Sequence, residues 1–297
     1  MQILGIDLGG TSIKSGLVDE RGNIAELKRT DTPSSDKDAS KSIALLAEII
    51  TVYRQTHKLD GIGLCVPGIV DPNTGTAVYS GTLGWRKVPI ASALSDLTGV
   101  PTFLEHDVTA SGIAEHKIGS AKGAQSALVL AIGTGIAGCF VLNGEIYRPH
   151  PAVGEIGHSP TRNSRPCVCG KNGCMEMTVS GGALVRNYEA LSGVKTDPIS
   201  IFNEAKGNNP GAQAIVDEFY ETLAFSTHFV ASTVGPEVVV IAGGIGDADS
   251  KFKSRLDKEL DKVLGVQLRP DIRMSTLSGT SGCIGAALSA RNQMALN

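Results

Sequence analysis

One pattern occurs twice in this 297-residue chain: an apolar strand, a turn of glycine and threonine, and a second apolar strand. The predicted strands of the two copies are 3–7, 13–18 and 24–28, then 127–132, 137–142 and 145–147. We assign strands because β-branched residues and leucine fill these runs between glycines. A chain repeated in this way is expected to form two similar halves.

Helical and strand patterns alternate after each copy, which is typical of an α/β fold. The first half contains predicted helices at 42–50 and 107–117 and strands at 61–66 and 101–105. The second contains helices at 182–191, 212–234, 249–264 and 282–291 and a strand at 237–242. A polar stretch at 117–124 separates the halves. We therefore expect a smaller N-terminal domain, 1–117, joined by the last helix, 285–297, and a larger C-terminal domain, 118–284.

Charge and hydropathy exclude several classes of function. The net charge is −3 with a sequence pI of about 6.1, which does not favour nucleic acid or an anionic membrane as partner. We find no apolar run of the ~18 residues that span a membrane, and the N-terminus lacks the features of a signal peptide. A cytoplasmic enzyme or binding protein is expected.

The glycine turns are candidate phosphate-binding segments. The first is Asp7-Leu8-Gly9-Gly10-Thr11, and the second is Gly133-Thr134-Gly135. Glycines let main-chain N–H groups approach a phosphate, and a threonine hydroxyl adds a hydrogen bond. Neither turn matches a P-loop or a dinucleotide fingerprint, and a tight hairpin is the alternative for each. A third pair, Gly243 and Gly244, joins a strand to a helix and is either a nucleotide contact or a tight connection.

His106 and Asp107 lie where a predicted strand ends and a helix begins. This edge of an open α/β sheet is where ligands bind. Asp107 is a candidate catalytic carboxylate, and a helix N-cap is the alternative for the same residue.

The strongest motif is a cluster of soft ligands: Gly154-Glu155-Ile156-Gly157-His158 precedes Cys167, Cys169 and Cys174. Three thiols and one imidazole are the ligand set of a tetrahedral structural zinc site. With all four positions filled, such a zinc ion has no place for an activated water. We therefore expect it to brace Glu155, His158 and Glu176 rather than to catalyse.

These motifs together resemble the ROK family (repressor, open reading frame, kinase) over nearly the whole chain, from Asp7 to the helix at 282–287. The resemblance implies an actin-like, ribonuclease H-like fold of two domains with ATP and a sugar in the cleft. It implies Asp107 as general base, and nucleotide and phosphate contacts from Asp7, Gly9, Gly10, Thr11, Gly133, Thr134, Gly135, Gly243 and Gly244. The implied sugar contacts are Gly68, Thr82, His106, Asp107, Glu155, His158 and Glu176.

Three positions depart from the family pattern. His106 stands where Asn is usual before the catalytic Asp, and Thr82 stands where Asn is usual before the Leu-Gly-Trp segment. Both usual amides touch sugar hydroxyls, so these departures bear on which sugar is bound. Ala137 and Cys139 replace glycines that are common after the second phosphate turn, which could reshape the nucleotide loop.

The resemblance implies ATP-dependent, Mg²⁺-requiring phosphorylation of a hexose 6-hydroxyl, with glucose first. N-acetylmannosamine or another hexose is the alternative substrate, and polyphosphate is an alternative donor. A sugar-responsive repressor or sensor is the non-enzyme alternative. It is disfavoured because family repressors carry an extra N-terminal DNA-binding domain, whereas this chain starts at the first phosphate-loop strand. A homodimer or higher homo-oligomer is expected because such assemblies are common in the family.

Overall fold

The computed structural model describes residues 1–277 and 279–296 and forms two compact units. Unit 1 comprises Met1–Gly119, Arg148–Ala152 and Gly279–Asn297, and unit 2 comprises Ser120–Tyr147 and Val153–Ser278. The segment Arg148–Ala152 had no counterpart among the sequence-based expectations. The last helix begins at residue 281, one residue before the helix predicted at 282–291 and four before the joining segment expected at 285–297, whose last residue lies outside the described residues.

Unit 1 contains two sheets and three helices before its chain enters unit 2. Along the chain these elements are β1 (Ile3–Leu8), β2 (Ser12–Val18), β3 (Ile24–Asp31), α1 (Ser40–Arg54), β4 (Gly61–Val66), β5 (Ile69–Asp71), β6 (Thr76–Ser80), β7 (Trp85–Val88), α2 (Ile90–Thr98), β8 (Thr102–His106) and α3 (Asp107–Lys117).

Unit 2 follows the same plan with a different set of helices. Its elements are β9 (Ala127–Ile132), β10 (Ile136–Leu142), β11 (Glu145–Tyr147), α4 (Gly181–Ser192), α5 (Pro198–Lys206), α6 (Pro210–Thr233), β12 (Val238–Ala242), α7 (Gly244–Ala248), α8 (Phe252–Val263) and β13 (Asp271–Met274). The last helix, α9 (Ser281–Leu296), belongs to unit 1. No helix within the described residues has both the length and the apolar character needed to cross a membrane.

The sheet topology confirms the duplication. In unit 1 the strand order is β3-β2-β1-β4-β8, and in unit 2 it is β11-β10-β9-β12-β13. In each unit the first three strands of the chain pair antiparallel and the other two are added in parallel. The mixed α/β fold predicted from the sequence is therefore confirmed.

Several elements differ from the sequence-based predictions. The strands β5, β6 and β7 form a small separate sheet that was not predicted, and α2, α5, α7 and β13 were also missed. The helix predicted at 249–264 begins only at Phe252, and Asp249 before it is buried. Its buried carboxylate accepts a hydrogen bond from the Tyr220 hydroxyl at 3.0 Å and pairs with Lys206 at 3.0 Å.

The helix α9 packs closely on β1, β4 and α3 because glycines remove the side chains at the points of contact. A Cβ atom on Gly285 would lie only 1.7 Å from the main-chain oxygen of Ala110. A main-chain atom in another helix cannot rotate away, so the backbones themselves would have to separate. Gly285 therefore sets the distance between α9 and α3.

We expect Gly285→Ala to lower the free energy of unfolding by about 3 kcal/mol or more, the upper range for overpacking. Gly265→Ala is the matched control, because the only atom near its new Cβ would be Gln267 Oε1 at 3.5 Å. Urea denaturation of both variants measures the difference. Equal stability of the two variants would show that α9 can move away at no cost.

Candidate functional site

The candidate site residues Asp7, His106 and Asp107 lie at one edge of the five-stranded sheet of unit 1. The strands β1, β4 and β8 run parallel, so their carboxyl ends meet at that edge. Asp7 pairs in register with Cys65, and Val66 pairs with His106. Asp7 and the His106-Asp107 step, predicted from separate motifs, are thereby brought to the same edge.

Gly68 follows β4 in a conformation that only glycine adopts readily. Its φ is +106°, and a Cβ atom there would lie 2.3 Å from the main-chain oxygen of Tyr79. The turn at Gly68 is therefore held against the β6 strand. This contact sits on the small sheet, which the sequence analysis did not foresee.

The first phosphate turn is anchored at its base and exposed at its tip. The N–H of Gly9 donates to the Ser12 oxygen at 3.0 Å, and the Thr32 hydroxyl donates to the Gly9 oxygen at 2.6 Å. Gly10 and Thr11 are exposed. A Cβ atom on Gly10 would lie 2.4 Å from Cγ2 of Thr82, so Thr82 reaches this turn and leaves no room for a side chain at residue 10.

The Asp7 carboxylate is largely shielded from solvent and lies near the Lys14 ammonium. Burial raises the pKa of its carboxyl group, and the nearby Asp107 charge raises it further, whereas Lys14 and the Cys65 thiol lower it. The Lys14 ammonium is 3.9 Å from Asp7 Oδ2. Lys14 was missed in the sequence analysis, although the hairpin register could have found it, because Asp7 and Lys14 are direct cross-strand partners.

Asp107 is the first residue of α3 and not its N-cap, which is His106. The N-cap alternative raised from the sequence is therefore wrong as stated. The carboxylate of Asp107 accepts a hydrogen bond from the Val108 N–H at 2.8 Å and lies 3.1 Å from Nε2 of His106, in both cases through Oδ1. Burial raises the pKa of Asp107, and the His106 charge opposes that rise.

A buried carboxylate, Glu105, fixes the chain just before this pair. Its Oε1 accepts the main-chain N–H of His106 at 3.0 Å. Its Oε2 accepts the Ser289 hydroxyl at 2.9 Å and pairs with Arg148 at 2.5 Å. These contacts explain why Arg148–Ala152 belongs to unit 1. The sequence signal that could have identified Glu105 is a glutamate among the apolar residues of a predicted strand.

The second phosphate turn lies in unit 2 and is tied to the start of α4. The Gly181 and Gly182 N–H groups donate to the oxygens of Gly133 and Thr134 at 2.7 and 3.1 Å. Within the turn, the Gly133 N–H donates a hydrogen bond to the Gly135 oxygen at 2.9 Å. Thr134 itself is exposed.

Gly243 lies at the end of β12, next to the end of β9. Its φ is +88°, and a Cβ atom would lie 2.4 Å from the Ile132 oxygen. A side chain at this position would push the third glycine segment away from the second phosphate turn. The structure therefore brings together the two glycine segments predicted in this half.

Glu176 contacts the second phosphate turn directly. Its Oε2 accepts the Ile136 N–H at 3.1 Å and would lie 2.4 Å from a Cβ atom on Gly135. Glu176 follows Cys174 by two residues in a short 3-10 helix, Met175–Met177. The cysteine loop and the phosphate turn are therefore linked through one carboxylate.

The four predicted zinc ligands lie together in unit 2. The candidate ligand atoms of His158, Cys167, Cys169 and Cys174 are all within 4.8 Å of one another. Gly170 and Gly173, with φ of +84° and +83°, let the loop turn between the thiols. His158 Nδ1 faces the thiols, and its Nε2 lies 3.9 Å from Glu155 Oε2.

The spacing of these atoms fits a tetrahedral zinc ion. Zinc bonds of about 2.3 Å to sulfur and 2.0 Å to nitrogen require ligand atoms roughly 3.5–3.8 Å apart. Cys169 and Cys174 sulfurs are 3.5 Å apart, and the Cys167 sulfur is 3.6 Å from His158 Nδ1. A carboxylate behind the histidine ligand, here Glu155, is a common way to orient the ring.

Comparisons with known proteins cover nearly the whole chain. The family model described as ROK family matches residues 3–293. A glucokinase from Halalkalibacterium halodurans is 26% identical over 315 residues, which cover 98% of this chain and 95% of that protein. An N-acetylmannosamine kinase from Vibrio cholerae is 27% identical over 275 residues, 92% of this chain and 91% of the relative. The crystal structure of a ROK hexokinase from Thermus thermophilus matches with a TM-score of 0.86 and 29% identity, covering all of both chains.

Proposed function

This chain belongs to the ROK family, and from that premise we propose that it is an ATP-dependent sugar kinase that phosphorylates the 6-hydroxyl of a hexose, most simply glucose. The observation that carries the proposal is the carboxyl edge of the unit 1 sheet. Asp107, a partly buried carboxylate with one oxygen already fixed, lies at the same edge as Asp7 and the first phosphate turn. The relatives support the reaction class, since glucokinases and an N-acetylmannosamine kinase match along nearly the full chain.

In the proposed mechanism a primary hydroxyl of the sugar attacks the γ-phosphorus of ATP in line. Asp107 accepts the hydroxyl proton through Oδ2, because Oδ1 is held by Val108 and His106. Its raised pKa suits a general base better than that of an exposed aspartate. The exposed Gly10 and Thr11 bind phosphate oxygens from this side, and Lys14 adds positive charge near Asp7.

Unit 2 supplies the remaining proposed contacts. Thr134 and the glycines of its turn bind phosphate, and Gly243 and Gly244 contact the nucleoside. Glu155, His158 and Glu176 are the proposed sugar contacts, with Gly68, Thr82 and His106 from unit 1. Glu176 can hold the second phosphate turn and contact the sugar at the same time, because Oε2 accepts the Ile136 N–H and Oε1 does not take part in that hydrogen bond.

Two metal ions belong to the proposal. Asp7 would hold Mg²⁺, directly or through water, and a bound Mg²⁺ would supply positive charge beside the phosphates. His158, Cys167, Cys169 and Cys174 would hold a zinc ion that shapes the loop carrying Glu155 and Glu176. The chain's own groups perform the proton transfer and the positioning.

A phosphoryl-transfer assay across sugars and donors tests the proposal. The sugars are glucose, mannose, N-acetylmannosamine, N-acetylglucosamine, fructose and allose, each with ATP or polyphosphate. We expect the highest kcat/KM with glucose and ATP. A preference for N-acetylmannosamine would identify that sugar as the substrate instead of glucose, and a preference for polyphosphate would identify it as the donor instead of ATP. Sugar binding without transfer to any sugar would favour a sensor and contradict the kinase.

A further inference from the structure

His106 contacts the proposed catalytic carboxylate rather than standing apart from it. Its Nε2 is 3.1 Å from Asp107 Oδ1, and its Nδ1 is 3.4 Å from the Thr109 hydroxyl. The imidazole is only 18% exposed. Both ring nitrogens therefore have protein partners within the first turn of α3.

The Asp107 contact indicates which nitrogen carries the proton. An ionised carboxylate oxygen only accepts, so in the neutral ring the hydrogen lies on Nε2, which faces Asp107, and the Thr109 hydroxyl donates to Nδ1. The ring then donates to Asp107 Oδ1, beside the hydrogen bond from Val108. With two donors on Oδ1, the carboxylate cannot rotate freely, and Oδ2 is presented to the substrate.

We propose that His106 is a positioning residue for Asp107, whose Oδ1 it holds by a hydrogen bond from Nε2, and not primarily a contact to the sugar. This inference rests on the proposed kinase function, and it assigns the role of a residue that differs from the family pattern. A protonated imidazole 3.1 Å from a carboxylate favours its charged form. His106 thereby opposes the effect of burial on Asp107.

No other charged group named here takes the place of His106 beside Asp107 Oδ1. Glu105 accepts the His106 main-chain N–H, and its own charge is paired with Arg148. The Asp107 charge raises the pKa of Asp7, whereas the pKa of Asp107 itself is raised by burial and lowered by His106. Ser289, from α9, and the neighbouring strand β4 bring no charge to the imidazole.

Two substitutions at residue 106 separate orientation from charge. Asparagine can donate to Oδ1 but cannot become a cation, and leucine can do neither. At pH 8 we expect His106→Leu to lower kcat by about tenfold or more, as for loss of a hydrogen bond to a charged group. His106→Asn should recover part of that loss. In both variants the acid limb of kcat should move to higher pH, because the His106 charge that lowers the pKa of Asp107 is lost.

A second measurement does not depend on activity. Ring-¹⁵N NMR of the intact protein at pH 8, with His106 assigned by its loss in His106→Asn, identifies the tautomer. We expect the Nε2–H tautomer, because the Asp107 oxygen that faces Nε2 can only accept a hydrogen bond.

The outcomes are distinguishable. An Nδ1–H tautomer would overturn the inference, whether or not the wild type is a kinase. An inactive wild type would contradict the proposed function and leave the NMR result to decide the role of His106. An unmoved acid limb in an active His106→Asn variant would also overturn the inference, because a merely structural role does not change that limb.

Discussion

Asp107→Asn is expected to lower kcat for phosphoryl transfer by about 10²–10⁴-fold, the range for loss of a general base. The carboxamide keeps an oxygen for the Val108 N–H, so the helix start is preserved while the basic oxygen is removed. KM for the sugar should change much less, because the lost interaction develops during transfer. Steady-state kinetics with a coupled assay measure both values.

Asp197→Asn is the matched control for that variant. Asp197 also stands at a helix start, where its carboxylate accepts the Ser200 N–H at 3.1 Å, and it has no proposed role in transfer. We expect it to change stability little, because Asn caps a helix about as well as Asp, and to leave kcat unchanged. An Asp107→Asn protein that folds and retains most of its kcat would show that Asp107 is not the base.

Loss of the proposed zinc ion is expected to raise the KM for the sugar, which is the second large effect. Purified, never-chelated protein should contain close to one zinc per chain, and Cys169→Ser should lose it. Cys169 is exposed, so serine there removes a ligand with little change in packing. Sugar KM should rise strongly, because Glu155 lies 3.9 Å from the proposed ligand His158 and Glu176 lies two residues from Cys174.

Elemental analysis and sugar kinetics check the zinc prediction together. Cys139→Ala is the control, because this buried cysteine lies in β10, outside the cluster. It should keep its zinc and its KM. Protein that folds and binds sugar normally without any zinc would contradict the proposed bracing role.

The sequence predicted elements well where hydrophobic pattern and turn residues agree. The bounds of β4, α3, β9 and β11 are those expected from their apolar runs and the glycine, proline or polar residues beside them. The small sheet was missed because β5 is only three residues long, between Gly68 and Pro72, and gives no periodicity. Short strands depend on pairing partners that local patterns do not show.

The candidate site was predicted by residue type but not by its contacts. The zinc cluster could be found from spacing alone, since four soft ligands lie within 17 residues of sequence, 158–174. The Glu105 to Arg148 pair joins residues 43 positions apart, and neither residue belongs to a local motif. The hydrogen bond from His106 to Asp107 could not be predicted from the sequence. Adjacent side chains on a strand point to opposite faces, and these two meet only because the strand ends at His106 and the helix begins at Asp107.

Direct transfer of the γ-phosphoryl group from labelled ATP to glucose tests the central claim most directly. Purified wild-type protein is incubated with Mg²⁺, labelled ATP and glucose, and the product is identified by ³¹P and ¹³C NMR, with Asp107→Asn in parallel. We predict label in glucose 6-phosphate with the wild type and almost none with the variant. Transfer to no hexose, or label at a hydroxyl other than that on carbon 6, would contradict the account.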